Sequence, residues 1–212
     1  MSPSLALRLA LSDLYRNSWR LVPVNAALGA VLVFSVLATV AVHALAVLGV
    51  LAGPIAMALA YCSVTLVRTG NVAAADAWRG FRLLWRRGLA LGAAALALVV
   101  LAVLAVRFYS RSSAGWPFAF LTLYLVVLLA VYAALLMTVA AASPREPVRL
   151  LARRAAAIGM QRPGATVLLG LTLLVVNLAG IAAALMPFLT LTVAYSFLAV
   201  AHFVLPRRPK ED

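Results

Sequence analysis

The side chains able to move protons or hold a metal are few. They are five carboxylates (Asp13, Asp76, Glu146, Glu211 and Asp212), two histidines (His43 and His202) and one thiol, Cys62. General acid–base catalysis needs such groups within hydrogen-bond reach of one substrate, and a metal site needs three or four ligands converging. His43 and His202 fall on opposite membrane faces once the apolar runs are counted, so they share neither a metal nor a proton. All five acids fall on one face, and none has a histidine near it in a catalytic arrangement. No phosphate-binding glycine loop or nucleophile motif occurs. The expectation is therefore a chain that is not an enzyme, with no catalytic residues, no cofactor and no metal. Cys62 stands alone and cannot form an internal disulfide.

The abundant chemistry is cationic. Eighteen Lys and Arg against five Asp and Glu leave a formal charge of +13. These cations sit in short clusters between long apolar runs, the pattern of membrane topology signals, so nucleic acid is not the expected partner. Composition points the same way: 66% of the residues are hydrophobic, 11% are charged, and mean hydropathy is +1.09. Soluble domains run nearer half apolar and a quarter charged. Lipid is the expected solvent. The first apolar stretch is broken by Arg8, Asp13, Arg16 and Arg20 with no cleavage pattern after it, so no secretory signal is expected.

The stretch 71–88 is the most polar of the interior. Wound as a helix, it places Ala74, Trp78, Phe81 and Trp85 on one face and Arg79, Arg82 and Arg86 on another. Such a helix is expected to lie in the membrane interface, with aromatics at headgroup depth and arginines towards anionic lipid. Residues 4–21 repeat the pattern, with Leu7, Leu11, Leu14 and Tyr15 on one face and Arg8, Ser12, Arg16 and Arg20 on another. Pro23 follows, at the first turn of a new helix. Residues 143–162 repeat it again. Ser143 and Pro144 open the segment, Val148, Leu151, Ala155 and Ile158 share a face, Arg149 and Arg153 lie off it, and Pro163-Gly164 ends it.

Between these segments lie the spans. Leu21 to Val67 holds no Asp, Glu, Lys or Arg, and one helix of that length would reach about 70 Å against a hydrocarbon core of about 30 Å. It must fold back on itself. The expected architecture is all-α and integral to the membrane, with six spans at about 22–42, 47–67, 88–106, 117–142, 165–185 and 187–205. They form three hairpins, each preceded by a basic amphipathic interfacial helix. Residues 1–206 make a single domain and 207–212 a polar tail. Gly53-Pro54 should kink or interrupt the second span. Gly88 and Gly92 offer a small-residue pair for close packing at the start of the third. Met186-Pro187 marks the last turn.

With six spans the two sides alternate, and all but two of the 18 basic residues fall on one of them. Arg107 and Arg111 alone fall on the other. Basic loops stay in the cytoplasm, so both termini are expected inside a bacterial plasma membrane. The unit of basic helix, span, span recurs three times. Each acid outside the tail precedes an arginine by three residues (Asp13 and Arg16, Asp76 and Arg79, Glu146 and Arg149), which would pair on a helix surface.

No charged residue lies within a span, which argues against a charge-coupled pump. Asn25, Asn177, Tyr61, Thr65, Thr172, Tyr195 and Ser196 are the polar groups at membrane depth. Bonding from helix to helix is the plain expectation for them. A facilitator or channel built on Gly53, Pro54 and Asn177 is the alternative.

Asn25 before an apolar run, the segment Gly53-Pro54-Ile55-Ala56-Met57-Ala58-Leu59, the block Trp78…Phe81-Arg82…Trp85-Arg86 and the turn Met186-Pro187-Phe188 resemble the YesL-like bacterial membrane proteins, a domain-of-unknown-function family. The link from Asn25 to Gly53-Pro54 is longer here than in that pattern. The resemblance supplies no catalytic residues. It implies an accessory or assembly role beside a transport system, for carbohydrate uptake. On that expectation Trp78, Arg79, Phe81, Arg82, Trp85, Arg86, Arg149 and Arg153 contact anionic lipid or a partner such as a transporter permease.

Overall fold

The computed structural model describes residues 2–41, 43–183 and 191–205. Among these the chain is helical throughout: α1 (Pro3–Ala41), a 3₁₀ segment (His43–Leu51), α2 (Ala52–Thr69), α3 (Ala74–Tyr109), a short 3₁₀ turn (Ser113–Gly115), α4 (Trp116–Ala142), α5 (Val148–Gln161), α6 (Pro163–Ala182) and α7 (Val193–Val204). Five helices are long and apolar enough to cross a membrane: α1, α2 with the end of the 3₁₀ segment, α3, α4 and α6. Helix α7 is a shorter apolar helix, about 18 Å long. The Met186-Pro187 turn, the start of the expected 187–205 span and the tail 207–212 lie outside the described residues.

α2 is the centre of the bundle. Its neighbours are α1, α3, α4 and α7, and Met57, Leu59, Ala60, Ser63 and Leu66 are almost fully buried. Gly53-Pro54 stands where the 3₁₀ segment gives way to the α-helix. Pro54 thus falls in the first turn, where its missing N–H breaks no helical bond. The interruption expected there is present.

α2 packs most extensively on α3, running antiparallel to it after a tight turn at Gly70, whose φ of 78° ends the helix left-handed. Three glycines set the spacing. A methyl on Gly53 would strike the Gly88 carbonyl, one on Gly88 would lie 2.5 Å from Pro54 Cα, and one on Gly92 would strike the Val50 carbonyl. Further along, Gly80 meets the Tyr61 side chain. This register lays apolar α2 along 80–92, the arginine-rich half of α3.

That half is not a helix separate from the expected third span. α3 runs unbroken from Ala74 to Tyr109, about 54 Å. The expected boundary near residue 88 falls on the glycine seam, where the α2 backbone lies close against Gly88 and the helix continues past it. The first amphipathic segment is set off from its span by a kink. α1 bends at Asn17 (φ −119°, ψ 16°), whose side-chain amide donates to the Asp13 carbonyl, and Pro23 lies inside the helix. In the third, α5 is a separate helix that ends at Gln161, and Pro163 stands in the first turn of α6 directly after it.

The buried faces also differ from those expected. In α1 the inward stripe is Ala6, Ala10, Leu14, Asn17, Leu21, Asn25 and Leu28, while Leu11 and Tyr15 point outward at 61% and 87% exposure. In α3 it is Gly80, Leu84, Gly88 and Gly92, and in α5 Leu151 and Ala155, with Val148 outside. In lipid large apolar side chains gain nothing by turning inward, and small residues let backbones approach. Val99, Leu101, Leu104, Phe120, Leu121 and Leu125 accordingly form a broad exposed apolar band on α3 and α4, larger than a water-facing surface tolerates.

Candidate lipid- and partner-facing surface

With its glycine edge turned to α2, the first half of α3 presents the aromatic and arginine residues outward. Trp78, Arg79, Arg82, Trp85 and Arg86 are exposed and Phe81 is half-buried. Trp78 stacks on Phe81 with ring centroids 5.7 Å apart and planes 8° from parallel. Arg86 lies over the Trp85 ring at 5.4 Å, and on α1 Arg20 lies over Trp19 at 4.4 Å. These residues do form one surface, on a helix that continues into the expected third span.

The basic segments are knitted to one another. Arg20 of α1 donates to the Asn71 side chain and, at 2.6 Å, to the Val72 carbonyl, fixing α1 to the α2–α3 turn. Arg87 of α3 donates to the Glu146 carbonyl at 2.8 Å, and Arg154 of α5 pairs with the Glu146 carboxylate at 2.6 Å. Tyr132 of α4 donates to the Ala152 carbonyl, holding α5 against α4. On α5, Arg149 and Arg153 remain exposed beside Val148 and Leu150. Arg107 lies at the far end of α3, about 30 Å from Arg87.

The expected pairing of each acid with an arginine three residues later is not what forms. Asp13 meets His202 of α7 at 2.9 Å, Asp76 accepts the Ala73 N–H at 2.8 Å as an N-terminal cap, and Glu146 takes Arg154. Each acid has another partner within reach, a helix N-terminal N–H, an imidazole or a more distant guanidinium, and these compete well against an exposed pair worth about 0.3–0.5 kcal/mol. The Asp13–His202 contact joins two residues 189 apart in the chain. With Tyr195 donating to the Leu7 carbonyl at 3.3 Å, it ties the first part of α1 to α7. No sequence spacing signals a contact between residues so far apart in the chain.

Gly53, Pro54 and Asn177 are not brought together. Gly53 and Pro54 are buried in the α2–α3 seam, whereas the Asn177 amide donates to the Leu173 carbonyl and to Ser196 Oγ, both at 2.7 Å. That second bond links α6 to α7, the helix-to-helix role expected of a polar group at this depth.

No protein-family model matches this chain, and no curated protein or solved structure does.

Proposed function

We propose that the protein is a non-enzymatic, six-span component of a bacterial plasma membrane, both termini cytoplasmic, that serves a transport system as an accessory or assembly partner. Carbohydrate uptake is the system that the family resemblance implies. The observation carrying this reading is the exposed basic surface of α3 and α5. Its helices are fixed from within by the glycine seam, Arg87–Glu146 and Glu146–Arg154, while Arg79, Arg82, Arg86, Arg149 and Arg153 stay outward. A rigid, cationic, partly apolar helix face suits a neighbouring helix or an anionic surface. A facilitator finds less support. Gly53 is packed against backbone, and both Asn177 amide bonds are spent within the bundle.

A photo-crosslinking residue placed at Val148 or Leu150, both exposed on α5, tests the reading in native membranes. The expected product is an adduct with an integral subunit of a transport system, lost when Arg149 and Arg153 are changed to Glu at unchanged protein level. Deletion of the protein should impair uptake by that same system. Adducts with lipid alone, together with normal uptake in the deletion strain, would overturn the proposal. So would saturable solute flux through the purified protein abolished by Asn177→Leu.

A further inference from the structure

The first turns of α3 carry a shallow, wide-open groove along one helix face, lined by Ala75, Trp78, Arg79, Arg82 and Leu83. These positions recur at steps of three and four, and their stripe lies opposite Gly80, Leu84 and Gly88, which face α2. Two guanidinium groups one helical turn apart repel each other. No carboxylate among the described residues pairs with them. Asp76, one turn before Arg79, is engaged with the Ala73 N–H, Glu146 pairs with Arg154, and Asp13 meets His202.

The groove therefore offers two outward cations on an otherwise apolar lining, with Trp78 62% and Leu83 52% exposed. Paired guanidinium forks match the oxygens of a phosphate. A free phosphate ion would gain nothing from the indole, Ala75 or Leu83. A phospholipid uses all of them, since indoles favour headgroup depth and the glycerol region is part apolar. Because α3 continues unbroken, the same stripe runs on through Ala93, Val100 and Leu104, all exposed, giving the acyl chains an apolar track along one helix.

We infer that this groove binds the headgroup of an anionic phospholipid, with Arg79 and Arg82 holding its phosphodiester. The inference rests on the membrane reading above and names the ligand of α3's share of the basic surface, leaving α5 to the protein partner.

The test uses the full chain with Trp78 as its only tryptophan (Trp19, Trp85 and Trp116 changed to Phe), in bilayer discs of phosphatidylcholine and phosphatidylglycerol. Bromine on the phosphatidylglycerol chains should quench Trp78 more strongly than bromine on phosphatidylcholine at equal mole fraction. Arg79→Gln with Arg82→Gln should cut that preference by roughly tenfold or more, and Arg149→Gln with Arg153→Gln should leave it unchanged. Native mass spectrometry of the chain with all its tryptophans, with and without the two α3 glutamines, reads the same preference as retained lipid. Equal quenching by both lipids, or a preference that survives the α3 glutamines, would overturn the site. Loss of quenching on adding inorganic phosphate but not sodium chloride at equal ionic strength would assign it to the free ion instead. Extraction of the protein from membranes by carbonate would overturn the membrane reading itself, an outcome distinct from any of these.

Discussion

Gly88→Leu should abolish the native bundle. The groove at Gly88 is filled by the backbone of α2, with Pro54 Cα 2.5 Å from where the first added carbon would stand. A clash with a side chain can be relieved by rotation, but a clash with backbone can be relieved only by moving a helix. α2 is held by α1, α4 and α7 as well, so its displacement would disturb most of the core. Overpacking ordinarily costs 1–3 kcal/mol, and here about 3 kcal/mol or more is expected. Thermal unfolding of the detergent-solubilised protein measures it, with loss of folded yield as the extreme result. Gly164→Ala is the matched control. Nothing lies within 4 Å of a methyl there, and alanine favours a helix, so stability should hold or rise slightly. If Gly88→Leu unfolded like the control, the α2–α3 seam would not be what sets the bundle.

Changing Arg79, Arg82 and Arg86 together to glutamate should have the second large effect, on insertion. Each cation near an anionic leaflet contributes about 1 kcal/mol, so reversing three removes roughly 3 kcal/mol of bias and adds repulsion. The three point outward and make no ion pair among the described residues, so the folded core should feel little of the change. A fraction of molecules should then carry the 70–73 turn on the wrong side, visible as labelling of an Ala73→Cys variant by an impermeant reagent. Normal sidedness together with unaltered dependence on anionic lipid would remove this surface from its organising role.

The helical class was legible because charge-free runs of such length leave few alternatives. The seam was half legible. Gly88 and Gly92 announced a close approach, and Gly53 was visible as a breaker, but only the register of α2 against α3 shows that the three meet. Amphipathic faces misled. Leu11, Tyr15 and Val148 are large and apolar and would turn inward in a water-soluble helix, yet all three are outside. A bundle in lipid has an apolar exterior too, so size, not hydropathy, separates its faces, and Ala6, Ala10 and Gly80 mark the contacts. The break expected between residues 71–88 and the third span does not form, and spacing alone could not show that. A helix with arginines on one side looks the same in sequence whether it lies along the membrane or stands upright against a central partner. Of the surface residues, Trp78, Arg79, Arg82, Trp85 and Arg86 could be found from spacing. The Asp13–His202 and Arg20–Asn71 contacts could not, since they depend on how distant helices meet.

The proposed topology is a six-span chain with both termini and the basic surface on the cytoplasmic side. Single cysteines in a Cys62→Ala background test it most directly, through labelling of intact cells with an impermeant thiol reagent. Ala44→Cys and Ser112→Cys should label from outside, and Ala73→Cys and Gln161→Cys should label only after the membrane is opened. Protection at position 44 together with labelling at position 73 in intact cells would contradict the account.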